Sequence, residues 1–388
     1  MSPSRATPAL LLGCHLLFAP SPLQAAAPAS EDASAEELLK QLEALALPSW
    51  QNTAKLGLAV GYESNPLLSS FASEGAALAR LELEDFVLHP DWHGLELLGM
   101  LNGSVTRYVS PPPGLGGKQN WFLHGETRLT PFKGTRLALT ATGYLTDEVI
   151  DLSLNDSFHF VAPLRVWGGK TSLQFRQSLP ARLWLEARAE LHRSAYLHYA
   201  GDFTEPGASL RLGWDSKSGL SLSLSGRSQR RAYAERNEAT VGGRPLPGTR
   251  LHLLSHEGEA NLSWKGQWHG GWSLSTKGRL GETRDERSGF FDYRQQHLST
   301  SLAWEKGDWR LSLELAQDHF RYLLQTVGMG LQPPHRTRRD RELALELGYA
   351  LSEHVHLQLG LRHESSRTNE EFSDYQNRSL VLGLYREF

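Results

Sequence analysis

The stretch Ser379 to Phe388 reads S-L-V-L-G-L-Y-R-E-F. Leu380, Leu382 and Leu384 alternate with Ser379, Val381 and Gly383. In an extended chain successive side chains point to opposite faces, so this stretch reads as a strand with one oily face. The same period of two returns along almost the whole chain from about Gln51. Leu56, Leu58, Val60 and Tyr62 oppose Lys55, Gly57, Ala59 and Gly61. Leu183, Leu185, Ala187, Ala189 and Leu191 oppose Arg182, Trp184, Glu186, Arg188, Glu190 and His192. Leu343, Leu345 and Leu347 oppose Glu342, Ala344 and Glu346. The charges fall on one face, and the apolar face is expected to carry none.

Alternation alone fits two architectures. In a soluble sandwich the polar face meets bulk water. In a membrane barrel the apolar face meets lipid and the polar face meets a wet lumen. Three further features favour the barrel. The alternating segments run ten to fifteen residues, near the ~9–11 a tilted strand needs to cross a bilayer. Short connections alternate with long ones, as periplasmic turns alternate with external loops. Trp214, Trp264, Trp272, Trp304 and Trp309 flank the short turns, where an interfacial aromatic girdle sits. Seven short and eight long connections give sixteen strands. Fourteen to eighteen is the allowed range, because Gly168-Gly169 interrupts the segment near Val166 to Leu179. A hydropathy scan would miss this architecture: mean hydropathy is -0.40, and only every second residue faces lipid.

A strand of this pattern that ends on Phe388 resembles the C-terminal strand of Gram-negative outer-membrane β-barrels. Arg386 departs from that family's apolar residue two before the end. The resemblance implies an all-β, transmembrane, antiparallel up-and-down barrel in the cell outer membrane. It implies that Leu380, Leu382, Leu384 and Phe388 form the signal read by the barrel assembly machinery. It also implies contact with outer-membrane lipid and lipopolysaccharide.

Residues 1–25 read as a signal peptide: Arg5, an apolar stretch from Ala9 to Pro20, then small residues at Ala25 to Ala27. Leu11-Leu12-Gly13-Cys14 is a loose lipobox, which leaves lipidation open. Residues 26–50 read as a short periplasmic helical segment, with Leu38, Leu39, Leu42 and Leu45 at helical spacing; a plug in the lumen is the other reading. Residues 51–388 are the barrel. Cys14 is the only cysteine, so a mature chain would have no disulfide and no thiolate site.

No zinc-protease helix, phosphate loop or nucleophile elbow appears, so an enzyme, a cofactor, a metal site and nucleic-acid binding are not expected. His354 and His356 read as polar lining. The informative chemistry is the inward charge. Arg176, Arg182, Arg188, Arg211, Arg227, Lys277 and Arg279 form an expected basic wall. Glu314, Glu342 and Glu346, with Arg362 nearby, form an expected acidic one. Glu257 and Glu259 sit among the basic strands and are expected to pair with them. Inward Gly57 and Gly61 are expected to leave space. Arg336, Arg338, Arg339 and Arg341 read as an external basic loop that holds lipopolysaccharide phosphates or draws in an anionic polymer. No single loop reaches the ~30 residues of a porin-type constriction. The leading function is a channel for polar or anionic solutes. The alternatives are the export pore of a polysaccharide secretion system, with its periplasmic components on other chains, and a structural barrel with a plugged lumen.

Overall fold

The computed structural model describes residues 50–388, apart from 71–73, 93, 113, 152–160, 198, 200, 329–330 and 371–372. The signal, the lipobox and the helical segment expected before Trp50 lie outside the described residues.

Among the described residues the chain forms sixteen strands. They are β1 (Gln51–Glu63), β2 (Ala76–Trp92), β3 (Leu95–Val109), β4 (Gly117–Phe132), β5 (Thr135–Asp151), β6 (Val161–Ser178), β7 (Leu183–Leu197) and β8 (Phe203–Asp215). They continue as β9 (Leu220–Tyr233), β10 (His252–Gln267), β11 (Gly271–Asp285), β12 (Tyr293–Lys306), β13 (Trp309–Thr326), β14 (His335–Ser352), β15 (Val355–Thr368) and β16 (Tyr375–Glu387). Each pairs antiparallel with its neighbour in sequence, and β1 pairs with β16, so the sheet closes with no free edge. The expected strand count holds. The strands reach 18 residues, longer than the alternation suggested, because they continue past the apolar band towards the loops. The doubtful sixth segment is a full strand: Gly168 and Gly169 pair with Tyr144 and Gly143 of β5.

Local chemistry sets the short turns. Gly134 and Gly219 have φ of 82° and 80°, a region that L side chains disfavour, and each ends a tight hairpin. The register then sorts the faces. Leu58 (67% exposed), Leu224 (66%) and Leu280 (66%) all point outward. Soluble proteins do not leave a continuous apolar belt of this size open to water. A closed barrel with that belt outside and charges inside spans a membrane. The aromatic girdle stands at the short-turn end, where Trp272 meets Trp304 (6.1 Å between ring centres) and Trp309 meets Tyr349 (4.7 Å).

Two expectations about the faces need correction. The outward face is not free of charge. Asp85 stands on it mid-strand, paired in register with Ala54 and Leu101, and its Oδ1 has no hydrogen-bond partner among the described residues. The inward glycines of β1 do not simply leave space. A Cβ on Gly57 would come within 2.3 Å of the Tyr385 ring, so the glycine is the seat for that ring. Tyr385 is then held by the hydrogen bond that its hydroxyl donates to Glu82 (2.8 Å). Trp184 is seated on Gly213 in the same way, with the Arg176 guanidinium 3.9 Å above its ring.

Candidate functional site: the charged lumen and its covered mouth

The candidate site is the inner wall. Register places Arg176, Arg188, Arg211, Arg227, Lys277, Arg279, Glu314, Glu342, Glu346 and Arg362 on inward positions. Arg182 is not among them. It lies in a single 3-10 turn, Pro180–Arg182, between β6 and β7, with φ of 64°. Proline at 180 cannot donate to the sheet ladder, so the alternation stops there and Arg182 no longer follows it.

The separate basic wall is also revised. Carboxylates stand between its cations. Glu190 binds Lys170 (2.6 Å) and Arg227. Glu257 faces Arg227 (3.9 Å) and Arg279 (3.8 Å), and Glu259 faces Arg211 (3.4 Å). Arg188 donates to Gln174 (2.7 Å) and lies 3.9 Å from Glu186. Arg176 lies 3.6 Å from Asp215. On the other wall Arg362 binds Glu342 (2.9 Å). Two carboxylates there have no cation within ion-pair distance among the described residues. They are Glu314, and Glu346, which accepts a hydrogen bond from Gln358 (3.0 Å). Lys277 is their counterpart on the basic side. Several of these pairs join strands that are not neighbours: Arg227 on β9 reaches Glu190 on β7, past β8. Sequence alternation finds the face of each residue but not which residues meet across two strands.

The mid-lumen side chains keep about a third of their surface open to water: 33% for Arg188, 36% for Arg211, 32% for Arg362. At the long-loop end the same inward face is covered. Leu78, Tyr108, Phe203, Tyr233 and Leu253 are all buried. Two loops cover them. In the loop between β1 and β2, Leu67 packs on Leu78, Tyr108 and Leu115. Asn65 fixes that loop. Its side chain donates to the carbonyls of Ser69 (2.8 Å) and Gln376 (3.1 Å) and accepts from the Ser69 amide (3.0 Å). Below it, Glu63 accepts from the Tyr108 hydroxyl (2.8 Å) and binds Lys118 (3.2 Å). In the loop between β9 and β10, Leu251 is fully buried against Phe203, Tyr233 and Leu253. Arg236 lies over the rings of Tyr233 and Phe291, and Glu238 binds Arg287 (3.2 Å).

A third loop, between β11 and β12, is organised by Asp285, which accepts from the amides of Arg287, Gly289 and Phe291. Burial acts to raise that carboxyl, but the three amides together with the Ser288 hydroxyl (3.1 Å) outweigh it and hold it below the usual range. These mouth residues escaped the sequence reading. Leu67 and Leu251 carry no period, and the one available signal was an apolar residue inside each polar loop.

The expected external basic loop is a strand. Arg336 and Arg338 on β14 point inward and bind Glu370 (2.7 Å) and Asp340 (2.8 Å). Arg339 and Arg341 point outward, by register with Arg367 and Ser365. Among the described residues, no three His, Cys, Asp or Glu side chains are grouped as metal ligands.

No family model matches the chain, and no curated protein is similar to it in sequence. Solved structures of similar form do exist. The anion-selective porin of Comamonas acidovorans is 10% identical, with a TM-score of 0.45, and the match covers 88% of this chain and 99% of that one. An outer-membrane protein of Vibrio cholerae is 8% identical, with a TM-score of 0.44 over 88% of this chain and 100% of its own. A BenF-like porin of Pseudomonas fluorescens is 8% identical, with a TM-score of 0.42 over 88% and 100%. At these identities no residue role passes from them to this chain, and the lumen stands on its own geometry.

Proposed function

We propose that the protein is an outer-membrane channel for small polar and anionic solutes, gated at its external mouth by inward-folded loops. The observation that carries this reading is the contrast along one inner wall. Its middle is lined by charged side chains that stay a third exposed, and near its mouth the wall is covered by Leu67 and Leu251. A sixteen-strand barrel is too wide for side chains alone to fill. Water therefore occupies the middle, and the loops set the limiting bore.

The arginines of β7 to β11 give an entering anion successive partners. Each already shares a carboxylate, so an anion is held weakly and passed on rather than trapped. Glu314 and Glu346, farther round the barrel on β13 and β14 and without a cation partner, give the lumen a lateral field that orients a polar solute. Planar-bilayer recording tests the reading. Discrete conductance steps with anion preference at low salt are expected, smaller than those of an open sixteen-strand pore. Silence under all voltages would favour a plugged barrel. Steps that appear only with an added acidic polysaccharide would favour export.

A further inference from the structure

The outward rim above the apolar belt is not uniform. Over β5 and β6 and over β9 to β12 its cations have carboxylate partners: Arg165 binds Asp147 (2.9 Å), Arg230 binds Glu286 (2.6 and 2.9 Å), and Arg284 and Arg294 share Glu282 (3.0 and 4.0 Å). Over β13 to β16 they do not. Arg321, Arg339, Arg341, Arg367 and Arg378 all stand exposed on outward positions. None has a carboxylate within ion-pair distance among the described residues. Arg339 and Arg367 are direct cross-strand partners, and like charges so placed repel.

Arg341 is two residues above Leu343 and Arg378 two above Leu380, so the cluster begins where the apolar belt stops. It spans four adjacent strands, about 15 Å at the ordinary strand spacing. Elsewhere on the rim the unpaired outward cations Arg107 and Arg193 stand singly. A concentrated set of guanidinium groups at the lipid headgroup level, with an uncompensated like-charge pair, calls for a multiply phosphorylated anion that brings its own acyl chains.

We infer that the β13–β16 rim is a binding surface for the phosphorylated glycolipid of the outer leaflet, with the lipid A phosphates bridging Arg339 and Arg367 and the acyl chains lying on Leu343 and Leu361. This inference rests on the outer-membrane reading above and not on whether the lumen conducts.

The test uses the full barrel in neutral detergent. Binding is measured with bisphosphorylated lipid A, with the same lipid A stripped of phosphate, and with phosphatidylglycerol, by native mass spectrometry. Wild type should bind the bisphosphorylated form at least tenfold tighter than either other lipid. The variant R339Q/R341Q/R367Q/R378Q should lose that advantage, while R165Q/R230Q on the carboxylate-paired rim should keep it. Equal binding of phosphatidylglycerol or of stripped lipid A would overturn the proposal, as would full binding by the quadruple variant. If that variant fails to fold, Arg367→Gln alone decides. It should raise the unfolding temperature without lipid, by relieving the Arg339 repulsion, and lower lipid A affinity several-fold; a lowered unfolding temperature without lipid would overturn the proposal. Bilayer conductance of Arg367→Gln should match wild type, which keeps failure of the channel reading separate from failure of this one.

Discussion

The middle of the barrel and its external mouth obey different rules. In the middle, a residue's environment follows from whether its position is odd or even: Leu345 meets lipid and Ala344, one step along, meets the lumen. At the mouth the same inward positions are dry, because Leu67 and Leu251 come back from the loops to cover them. The lesson is that one strand face can be pore lining at one height and core at another. On the proposed function, the wet part would set selectivity and the dry part would limit passage.

The contrast breaks most sharply by reversing the middle. Leu345→Arg should cost about 2–4 kcal/mol of barrel stability, the price of an arginine at the bilayer midplane. Ala344→Arg should cost far less, since its register neighbours are Glu314 and Arg362 at a wet wall. Folding yields into lipid vesicles compare the two directly, and equal yields would defeat the facing assignment.

The mouth is sharpened by Asn65→Ala. The substitution removes three hydrogen bonds from a buried side chain, a loss of about 1–3 kcal/mol to the loop's attachment. The barrel should still fold. Single-channel conductance should rise and residues 64–70 should become sensitive to protease. An unchanged conductance would show that this loop does not limit the bore.

A subtler change separates lumen from turn. Replacing Arg188 and Arg227 by Ser should move the reversal potential towards cations, because it removes two positive charges, leaves Glu186 without its cation and leaves Glu190 with Lys170 alone. The shift should fade with salt, since screening acts within about 8 Å at physiological ionic strength. Arg182→Ser should leave the potential unchanged, because Arg182 sits in the turn.

The smallest expected effect is a pH response confined to the mouth. Asp285 is held below the usual aspartate range by three amides and the Ser288 hydroxyl, which together outweigh its burial. A carboxyl with a lowered folded value stabilises its loop fully above its unfolded value and loses that contribution as pH falls through the folded one. Amide protection in residues 286–292, corrected for the intrinsic exchange rate at each pH, should therefore fall on acidification into that range, and Asp285→Asn should abolish the response. An equal fall in protection in the mid-barrel strands would mean that the effect is not local.

The amino-acid sequence by itself pointed to an up-and-down barrel of about sixteen strands and determined the face of nearly every strand residue; the structure fixed the count at sixteen and the closing β1–β16 pair. It could do so because a period of two is a local property, and each Leu-x-Leu-x-Leu run carries it without help from distant residues. It misled where that local rule is interrupted. Pro180 took Arg182 out of phase, and an apparent basic loop at Arg336 to Arg341 was a strand whose alternation divides two inward arginines from two outward ones. Tertiary structure alone decided the rest. Arg227 finds Glu190 two strands away, Tyr385 sits on Gly57, Leu67 closes over Tyr108, and Arg339 is set beside Arg367. Each of these depends on the barrel closing with one particular register. Contacts between residues tens to hundreds of positions apart are fixed by that closure and leave no period in the chain to read.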